Sequence, residues 1–134
     1  MKLSHIGIAV EDLEKARKLY GEVLGLKVSQ PEELPERKLR ISMVDLGLGG
    51  PCIELLFPTA EDSAVAGFIK KRGPGIHHLC FEVPDVSAKL KELKAAGIKL
   101  IDEAPRPGAH HTLVAFAHPA SLGGVLIEFS QPAK

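Results

Sequence analysis

The sequence predicts an α+β fold: two tandem βαβββ units that form one curved, eight-stranded mixed sheet with helices on its outer face. The first observation is a strand pattern around His5 that recurs 73 positions later around His78. The second is a gap-free match, at an offset of 74, between segments 48–58 and 122–132, where six of eleven positions are identical. The third is that helix and strand patterns follow in the same order in both copies. A repeat of this length indicates one structural unit used twice.

Length and composition are those of one compact domain. The chain has 134 residues, of which 45% are hydrophobic and 25% are charged, and these fractions are ordinary for a globular protein. Each half, about 65 residues, would have a thin core on its own, so the halves are expected to pack together. We therefore predict a single domain over 1–134, with a first unit at 1–58, a linker helix at 59–75 and a second unit at 76–134.

Charge and hydropathy exclude several classes of partner. The formal net charge is zero and there is no long basic run, so nucleic acid is not expected to bind. No apolar run approaches the length of a membrane-spanning helix, and the N-terminus begins on a strand pattern instead of a signal peptide. We expect no membrane partner and a cytoplasmic location. The short basic cluster at 70–72 is expected to be the solvated end of a helix, and the alternative is a local site for substrate phosphates.

In the first unit, each element has a local signal. A mostly apolar run predicts a strand over 3–10, Asp12 is a helix N-cap candidate, and Gly25 is expected to end that helix. Apolar residues recur along the helix at helical spacing and predict one buried stripe: Leu13, Ala16, Leu19, Tyr20, Val23 and Leu24. The rest of the unit is predicted as a strand at 26–29, a turn or mobile loop at 31–35, a strand at 39–46, a hairpin turn at 47–50 and a strand at 51–57.

The linker and the second unit are predicted in the same way. The linker reads as a helix from Asp62 to about Lys71, which the Gly-Pro-Gly sequence at 73–75 breaks. In the second unit, Asp85 caps a helix that Gly97 ends, and its inward residues are expected to be Val86, Leu90, Leu93 and Ala96. Strands are predicted at 76–83, 98–101, 112–117 and 125–130, with a turn at 105–108.

Each copy also contributes one His near its start and one Glu near its end. A single His on a strand is more often a core histidine, and a single Glu near a strand end is more often solvated. Buried His and Glu on apolar strands, however, cost on the order of several kcal/mol unless they are paired or coordinated. Because all four occupy equivalent positions of the repeat, we predict that they bind one metal ion: His5, Glu54, His78 and Glu128. A mixed nitrogen and oxygen set suits Mn, Fe, Co, Ni or Zn, and leaves two octahedral positions for water or a bidentate substrate.

The remaining histidines are assigned other roles. The 73-residue offset pairs His5 with His78, and strand alternation then sends His77 to the other face, where it would bind substrate or pack against a helix. His110 and His111 have no counterpart in the first copy, so we expect a mobile loop that lines the mouth of the site. His118, which precedes a proline, is expected to be structural or exposed.

No other catalytic motif is readable in the sequence. Cys52 and Cys80 lie in apolar strands and are expected to be small core residues instead of a disulfide, ligands or nucleophiles. There is no Ser-His-Asp or Cys-His arrangement and no nucleotide-binding fingerprint. The glycine-rich turn at 47–50 precedes a strand and not a helix, so it is not a phosphate-binding loop.

A set of short motifs runs through both halves of the chain. In the first half they are 5–10 (HIGIAV), 53–56 (IELL), 61–63 (EDS) and 71–78 (KRGPGIHH). In the second half they are 100–109 (LIDEAPRPGA), 118–119 (HP) and 123–128 (GGVLIE). Together they resemble the vicinal oxygen chelate superfamily, which includes glyoxalases and bleomycin resistance proteins, and within it the family of methylmalonyl-CoA epimerases. The resemblance covers essentially the whole chain, and the paired βαβββ units of the superfamily match the repeat.

The resemblance implies an enzyme that interconverts (R)- and (S)-methylmalonyl-CoA, a coenzyme A thioester. The proton α to the thioester is removed, an enolate forms, and a proton returns on the opposite face. The resemblance also implies a homodimer and one divalent ion, Co²⁺ ahead of Mn²⁺, Ni²⁺ or Zn²⁺, held by the four residues named above. Such a metal stabilises the enolate as a Lewis acid.

The sequence departs from the family pattern at two positions. Some epimerases carry a Glu on the third strand, where this chain has Ile41, which cannot transfer a proton. Many relatives have Gln at position 54, where this chain has Glu. We therefore expect Glu128 and Glu54 to be the two acid–base residues, because inversion needs a donor and an acceptor on opposite faces. The alternative is that Glu54 is a ligand only, and that water or His111 supplies the second proton.

Two further functions remain open from the sequence. The His-Glu-His-Glu set resembles that of metal-dependent glyoxalase I, so one alternative is a glyoxalase I-like lactoylglutathione lyase that acts on a glutathione hemithioacetal. The other is a non-catalytic sequestering protein of the same fold. Sequestering proteins generally lack the four ligands, and glyoxalases are not expected to carry the motifs at 61–63 and 72–78.

Overall fold

The computed structural model describes residues 1–133. The chain divides into two compact units, an N-terminal unit, His5–His77, and a C-terminal unit that comprises Met1–Ser4 and His78–Lys134. Among the described residues, no helix is both long enough and apolar enough to span a bilayer.

The N-terminal unit has a mixed sheet with helices packed on it. Its strands are β1 (Lys2–Ala9), which belongs to this unit from His5 onward, β2 (Lys27–Val28), β3 (Glu32–Leu34), β4 (Leu39–Asp45) and β5 (Cys52–Pro58). Its helices are α1 (Leu13–Lys18), which continues as a π-helical turn (Leu19–Val23), a 3₁₀ turn (Pro35–Arg37) and α2 (Ala64–Arg72). The strand order is β2-β4-β5-β1, and β3 also pairs with β4. Strand β1 is parallel to β5, and the other pairs are antiparallel.

The two faces of this sheet bury different clusters. One face packs under α1 through Leu13, Val44 and Leu55, and we call it the α1 face. The other packs under α2 through Ala9, Leu39, Ile41, Leu56 and Val65, and we call it the α2 face. Because strand side chains alternate, His5 shares the α2 face with Ala9, and Glu54 shares it with Leu56.

The C-terminal unit repeats the arrangement. Its strands are β6 (Gly75–Glu82), β7 (Arg106–Gly108), β8 (Thr112–Ala117) and β9 (Ile127–Pro132), with helix α3 (Val86–Ala95) and a 3₁₀ turn (Pro119–Ser121). The strand order is β6-β9-β8-β7, with β6 parallel to β9 and the other pairs antiparallel. The core under α3 contains Val86, Leu90, Ala115, Ala117 and Phe129. By alternation, His78, Phe116 and Glu128 lie on the opposite face, which we call the ligand face.

Both predicted helix caps are confirmed. The Asp12 carboxylate accepts from Lys15 N at 3.0 Å, and the Asp85 carboxylate accepts from Ala88 N at 3.1 Å. These bonds satisfy backbone donors that the first helical turn leaves unpaired.

The predicted buried stripe of the first helix is wrong in its second half. Leu13 is buried, but Leu19, Val23 and Leu24 are 49%, 74% and 56% exposed. Leu19 comes six residues after Leu13 and so lies off the i, i+3, i+4, i+7 face of the helix. Beyond it, a π-helical turn, in which Leu24 N donates to Leu19 O instead of to the carbonyl of residue 20, shifts Val23 and Leu24 out of the 3.6-residue period.

Three further predictions, of one strand, one turn and one loop, also need correction. The strand predicted at 98–101 is reduced to a single bridge between Leu100 and Ala117. The turn predicted at 105–108 instead contains β7, an edge strand in which Pro107 is tolerated because one side of the strand has no partner. The loop predicted at 31–35 likewise contains β3, which pairs with β4. Periodicity cannot detect three-residue edge strands.

Candidate active site

The N-terminal unit contains one of the predicted His–Glu pairs. His5 Nε2 lies 3.7 Å from Glu54 Oε1, and the two side chains are 13% and 7% exposed. Strands β1 and β5 position them, and the residue paired with Glu54 is Gly7 on β1 and Met43 on β4. The pair lies on the α2 face of the sheet.

The C-terminal unit contains the second pair, and it is tighter. His78 Nε2 lies 3.1 Å from Glu128 Oε1, and the side chains are only 2% and 3% exposed. Glu128 pairs with Cys80 on β6 and with Phe116 on β8. The Phe116 ring contacts the His78 imidazole edge-on, with centroids 5.6 Å apart and an interplanar angle of 80°. The structure therefore brings His78 together with Glu128, as predicted, and adds an aromatic wall.

His77 points away from this pair. Its ring contacts Phe68 of α2 in an edge-on arrangement, with centroids 5.0 Å apart. Of the two roles considered for His77, packing against a helix is the one that this contact favours.

Cys80 is buried, as predicted for a core residue, and it also lies beside Glu128. It is fully buried, its thiol donates to Ser130 Oγ at 3.4 Å, and its Sγ lies within 4.8 Å of a Glu128 carboxylate oxygen. Strand alternation could have found it, because residue 80 must share a face with residue 78. Cys52 pairs with His5 across β1 and β5, and burial raises the pKa of its thiol above the usual value. A raised pKa keeps Cys52 neutral, which agrees with its predicted role as a core residue.

Ile41 occupies a core position. It is fully buried on the α2 face, between Glu32 of β3 and Leu56 of β5. Its side chain packs with Leu39 and Val65. Position 41 of β4 therefore offers hydrophobic contact and no acid–base group.

The other candidate histidines lie in turns. His110 and His111 form the tip of the β7–β8 hairpin with left-handed φ angles of 56° and 55°, a conformation that non-glycine residues seldom adopt. The hairpin is held by Ala133 N, which donates to His111 O at 2.8 Å. His118 Nδ1 accepts from Ala120 N at 3.0 Å and so caps the 3₁₀ turn, as a structural residue would. The basic cluster at 70–72 forms the last turn of α2.

The chemistry of the two pairs fits a divalent metal ion. Each pair presents an imidazole nitrogen and a carboxylate oxygen, both largely shielded from water. First-row divalent ions prefer this mixed donor set to thiolate-rich sites. Carboxylates this deeply buried also need a cationic or hydrogen-bonding partner to remain ionised.

Comparison with known proteins gives consistent results. A model of the Glyoxalase/Bleomycin resistance protein/Dioxygenase superfamily matches residues 4–116. The mitochondrial methylmalonyl-CoA epimerase of Bos taurus is 44% identical over 97% of this chain and 74% of its own length. An ethylmalonyl-CoA/methylmalonyl-CoA epimerase of Cereibacter sphaeroides is 39% identical over 97% of each chain. By contrast, the lactoylglutathione lyase of Haemophilus influenzae is 27% identical, over 96% of this chain and 91% of its own length.

Solved structures agree. The crystal structure of methylmalonyl-CoA epimerase from Mycobacterium tuberculosis superposes with a TM-score of 0.92, at 36% identity, over 99% of this chain and 89% of that one. A methylmalonyl-CoA epimerase in complex with methylmalonyl-CoA and NH₄⁺ superposes with a TM-score of 0.89, at 34% identity, over 98% and 94% of the two chains. The fold class predicted from the sequence is therefore confirmed.

Proposed function

We propose that this chain, which belongs to the Glyoxalase/Bleomycin resistance protein/Dioxygenase superfamily and within it to the methylmalonyl-CoA epimerases, interconverts (R)- and (S)-methylmalonyl-CoA. The structural observation that carries the proposal is a buried His–Glu pair at the equivalent position of each repeat. The glyoxalase alternative is disfavoured, because the lyases to which the chain is similar are markedly more distant than the epimerases.

We propose that His5, Glu54, His78 and Glu128 hold one divalent metal ion, with Co²⁺ as the first candidate. When bound, the ion would supply Lewis-acid stabilisation of the negative charge that develops on the thioester oxygen. Elemental analysis of His78→Ala tests the ligand set, and His118→Ala, which alters a capping histidine, is the matched control. We expect metal loss in the first variant alone. Unchanged metal content in His78→Ala would contradict the assignment.

Glu128 and Glu54 are the proposed acid–base residues. Removal of the α proton from one face and its return on the other require two groups, and these two carboxylates occupy equivalent positions in the repeat. Both carboxylates are buried, so bulk water does not compete with them for the α proton. The core position of Ile41 leaves no acid–base side chain at that point of β4 to compete with them.

The substrate assignment has a direct test. The protein is incubated in deuterated water with methylmalonyl-CoA, and deuterium at the α carbon is followed together with the configuration. A parallel reaction with the glutathione hemithioacetal of methylglyoxal tests the lyase alternative. We expect exchange and epimerisation in the first reaction and no lactoylglutathione in the second. The reverse result would overturn the proposed function.

The homodimer also belongs to the proposal. Edge strands β2 and β7 and the exposed apolar side chains Leu19 and Val23 are surfaces that natural proteins tend to cover. Light scattering at micromolar concentration is expected to give twice the chain mass of 14.4 kDa. The cytoplasmic location stays a prediction from the sequence.

A further inference from the structure

Arg106, on the edge strand β7, is held in one orientation by two contacts. Its guanidinium carbon lies 5.7 Å from the centroid of the Phe116 ring, over which it stacks. Its Nε donates to Asp102 Oδ1 at 3.2 Å. Asp102 is itself fixed, because its other oxygen accepts from Phe116 N at 2.8 Å. One carboxylate therefore ties the arginine to the strand on which its aromatic partner lies.

The strand geometry reinforces this placement. Arg106 pairs with Val114, and Val114 and Phe116 share the ligand face of the sheet. Gly108 lets β7 approach β8 closely, since a Cβ at that position would lie 2.6 Å from Val114 Cγ1 and 2.7 Å from Thr112 Oγ1. The close approach of β7 to β8 therefore requires glycine at position 108.

The outer edge of the guanidinium is available to a ligand. Asp102 engages Nε, and within residues 1–133 neither terminal nitrogen has another hydrogen-bond acceptor. The side chain is 44% exposed. The two terminal nitrogens of an arginine form a planar fork that matches a carboxylate. Stacking on Phe116 fixes the plane of that fork, so little side-chain entropy is lost when an anion binds.

The Phe116 ring links this fork to the His78–Glu128 pair, because Phe116 contacts both Arg106 and the His78 imidazole. A methylmalonyl thioester places its free carboxylate on the carbon that reacts, whereas the phosphates of coenzyme A are separated from that carbon by the whole pantetheine arm. A cation this close to His78 is therefore matched to the acyl carboxylate and not to the phosphates.

We propose that Arg106 is a specificity-determining residue that binds the free carboxylate of the acyl group. It would make the site select carboxylated acyl thioesters over neutral ones. This inference rests on the proposed epimerase function and names the group that recognises the substrate's second anionic end. Glu128 and Glu54 keep their roles in proton transfer.

The chain offers a matched control for the test. Arg40 also stacks on an aromatic ring, with its guanidinium carbon 5.9 Å from the Phe57 centroid, and its Nε donates to Glu33. Its side chain is also 44% exposed. Arg40 alternates with Ile41, however, so it lies on the α1 face, away from the face that carries His5 and Glu54. Arg40→Gln therefore removes the same kind of arginine without touching the candidate site.

The experiment measures the affinities of metal-loaded parent, Arg106→Gln, Arg106→Lys and Arg40→Gln for methylmalonyl-CoA and propionyl-CoA by calorimetry. Propionyl-CoA is the same thioester without the carboxylate. Arg106→Gln is expected to weaken methylmalonyl-CoA binding by roughly ten- to a hundredfold, the value of a charge-assisted hydrogen bond. Its affinity for propionyl-CoA should not change. Arg106→Lys should recover part of the loss, because it keeps the charge but not the fork. Arg40→Gln should alter neither affinity.

Each other outcome has a defined meaning. An equal loss for both thioesters would place Arg106 on the coenzyme A portion and overturn the carboxylate assignment. No loss for either thioester would overturn it as well. Thermal unfolding of the two glutamine variants identifies any loss of affinity that comes from misfolding. If Arg106→Gln is misfolded, the affinities of Arg106→Lys for the two thioesters decide the question. If the parent binds neither thioester, the proposed function fails and this inference fails with it. If the parent protein epimerises methylmalonyl-CoA but Arg106→Gln still prefers methylmalonyl-CoA to propionyl-CoA, this inference alone is contradicted.

Discussion

The two His–Glu pairs of this protein are built on the same scaffold but differ in closeness and burial. In the N-terminal unit the imidazole and carboxylate atoms are 3.7 Å apart and retain some exposure. In the C-terminal unit they are 3.1 Å apart and almost fully buried. Both pairs lie on a first strand and on the strand parallel to it, at register positions that the repeat makes equivalent. The strands therefore specify where each His–Glu pair lies, and the neighbouring side chains specify how well each pair is shielded from water.

Two substitutions within the repeat account for the difference. At an offset of 73 residues, Gly7 corresponds to Cys80 and Met43 corresponds to Phe116. Each of these residues pairs directly with the glutamate of its own unit. Glu128 thus has the Cys80 thiol and the Phe116 ring beside it. Glu54 instead has a glycine without a side chain and the flexible Met43 thioether. The larger and more rigid neighbours exclude water and hold His78 in place through the ring contact.

The largest expected effect on stability concerns the two histidines. In metal-free protein, His78→Ala removes the nearest imidazole from a fully buried carboxylate, and breaking such a pair costs about 3–5 kcal/mol. His5→Ala removes a longer and more solvent-exposed contact, and we expect it to lower the free energy of unfolding by roughly 1–2 kcal/mol. Urea unfolding of both variants after chelator treatment measures the difference. Equal losses would mean that burial does not distinguish the two pairs.

A smaller effect is expected when Phe116 is replaced by methionine, the residue that the N-terminal unit has at the equivalent position. Phe116→Met keeps the volume nearly constant but removes the ring that contacts His78 and Arg106, so it should cost about 1 kcal/mol. The reciprocal Met43→Phe variant is the control for repacking alone. Urea unfolding followed by circular dichroism gives both values. An unchanged free energy of unfolding in Phe116→Met would show that the aromatic wall does not stabilise the C-terminal pair.

The smallest expected effect is a gain in stability. Ser42 is buried on the α1 face, and its hydroxyl has no hydrogen-bond partner within residues 1–133. The residue 73 positions later is Ala115, which is also fully buried. Ser42→Ala introduces the residue found at the equivalent position and removes an unsatisfied polar group, so it should stabilise the protein by about 1 kcal/mol. A lower melting temperature for this variant would indicate that the hydroxyl has a partner in solution.

The repeat explains why much of the site could be predicted from the sequence. A single His or Glu on a strand carries little information, but the repeat matches His5 with His78 and Glu54 with Glu128, which predicts all four as one set. The helix caps at Asp12 and Asp85 were equally predictable, since capping depends on local backbone donors. These features need only local rules and one internal alignment.

The features that sequence reasoning missed depend on tertiary packing. The π-helical turn after α1 shifts Val23 and Leu24 out of the helical period, and the periodicity of the sequence does not predict it. Strands β3 and β7 are too short for an alternating pattern and exist because β4 and β8 have free edges. The stack of Arg106 on Phe116 depends on β7, so a predicted turn at 105–108 does not indicate it.

The central claim is that the two equivalent glutamates serve opposite faces of the substrate, and Glu54→Gln tests it most directly. The variant keeps a metal-binding oxygen but cannot accept a proton. The measurement follows the α hydrogen of each epimer of methylmalonyl-CoA in deuterated water with metal-loaded protein, and Glu82→Gln, an exposed carboxylate paired with Lys2, is the control. We expect epimerisation to fall by roughly 10²–10⁴-fold. One epimer should still exchange its α hydrogen without inversion, because Glu128 remains. Inversion of both epimers at the parent rate would contradict the account.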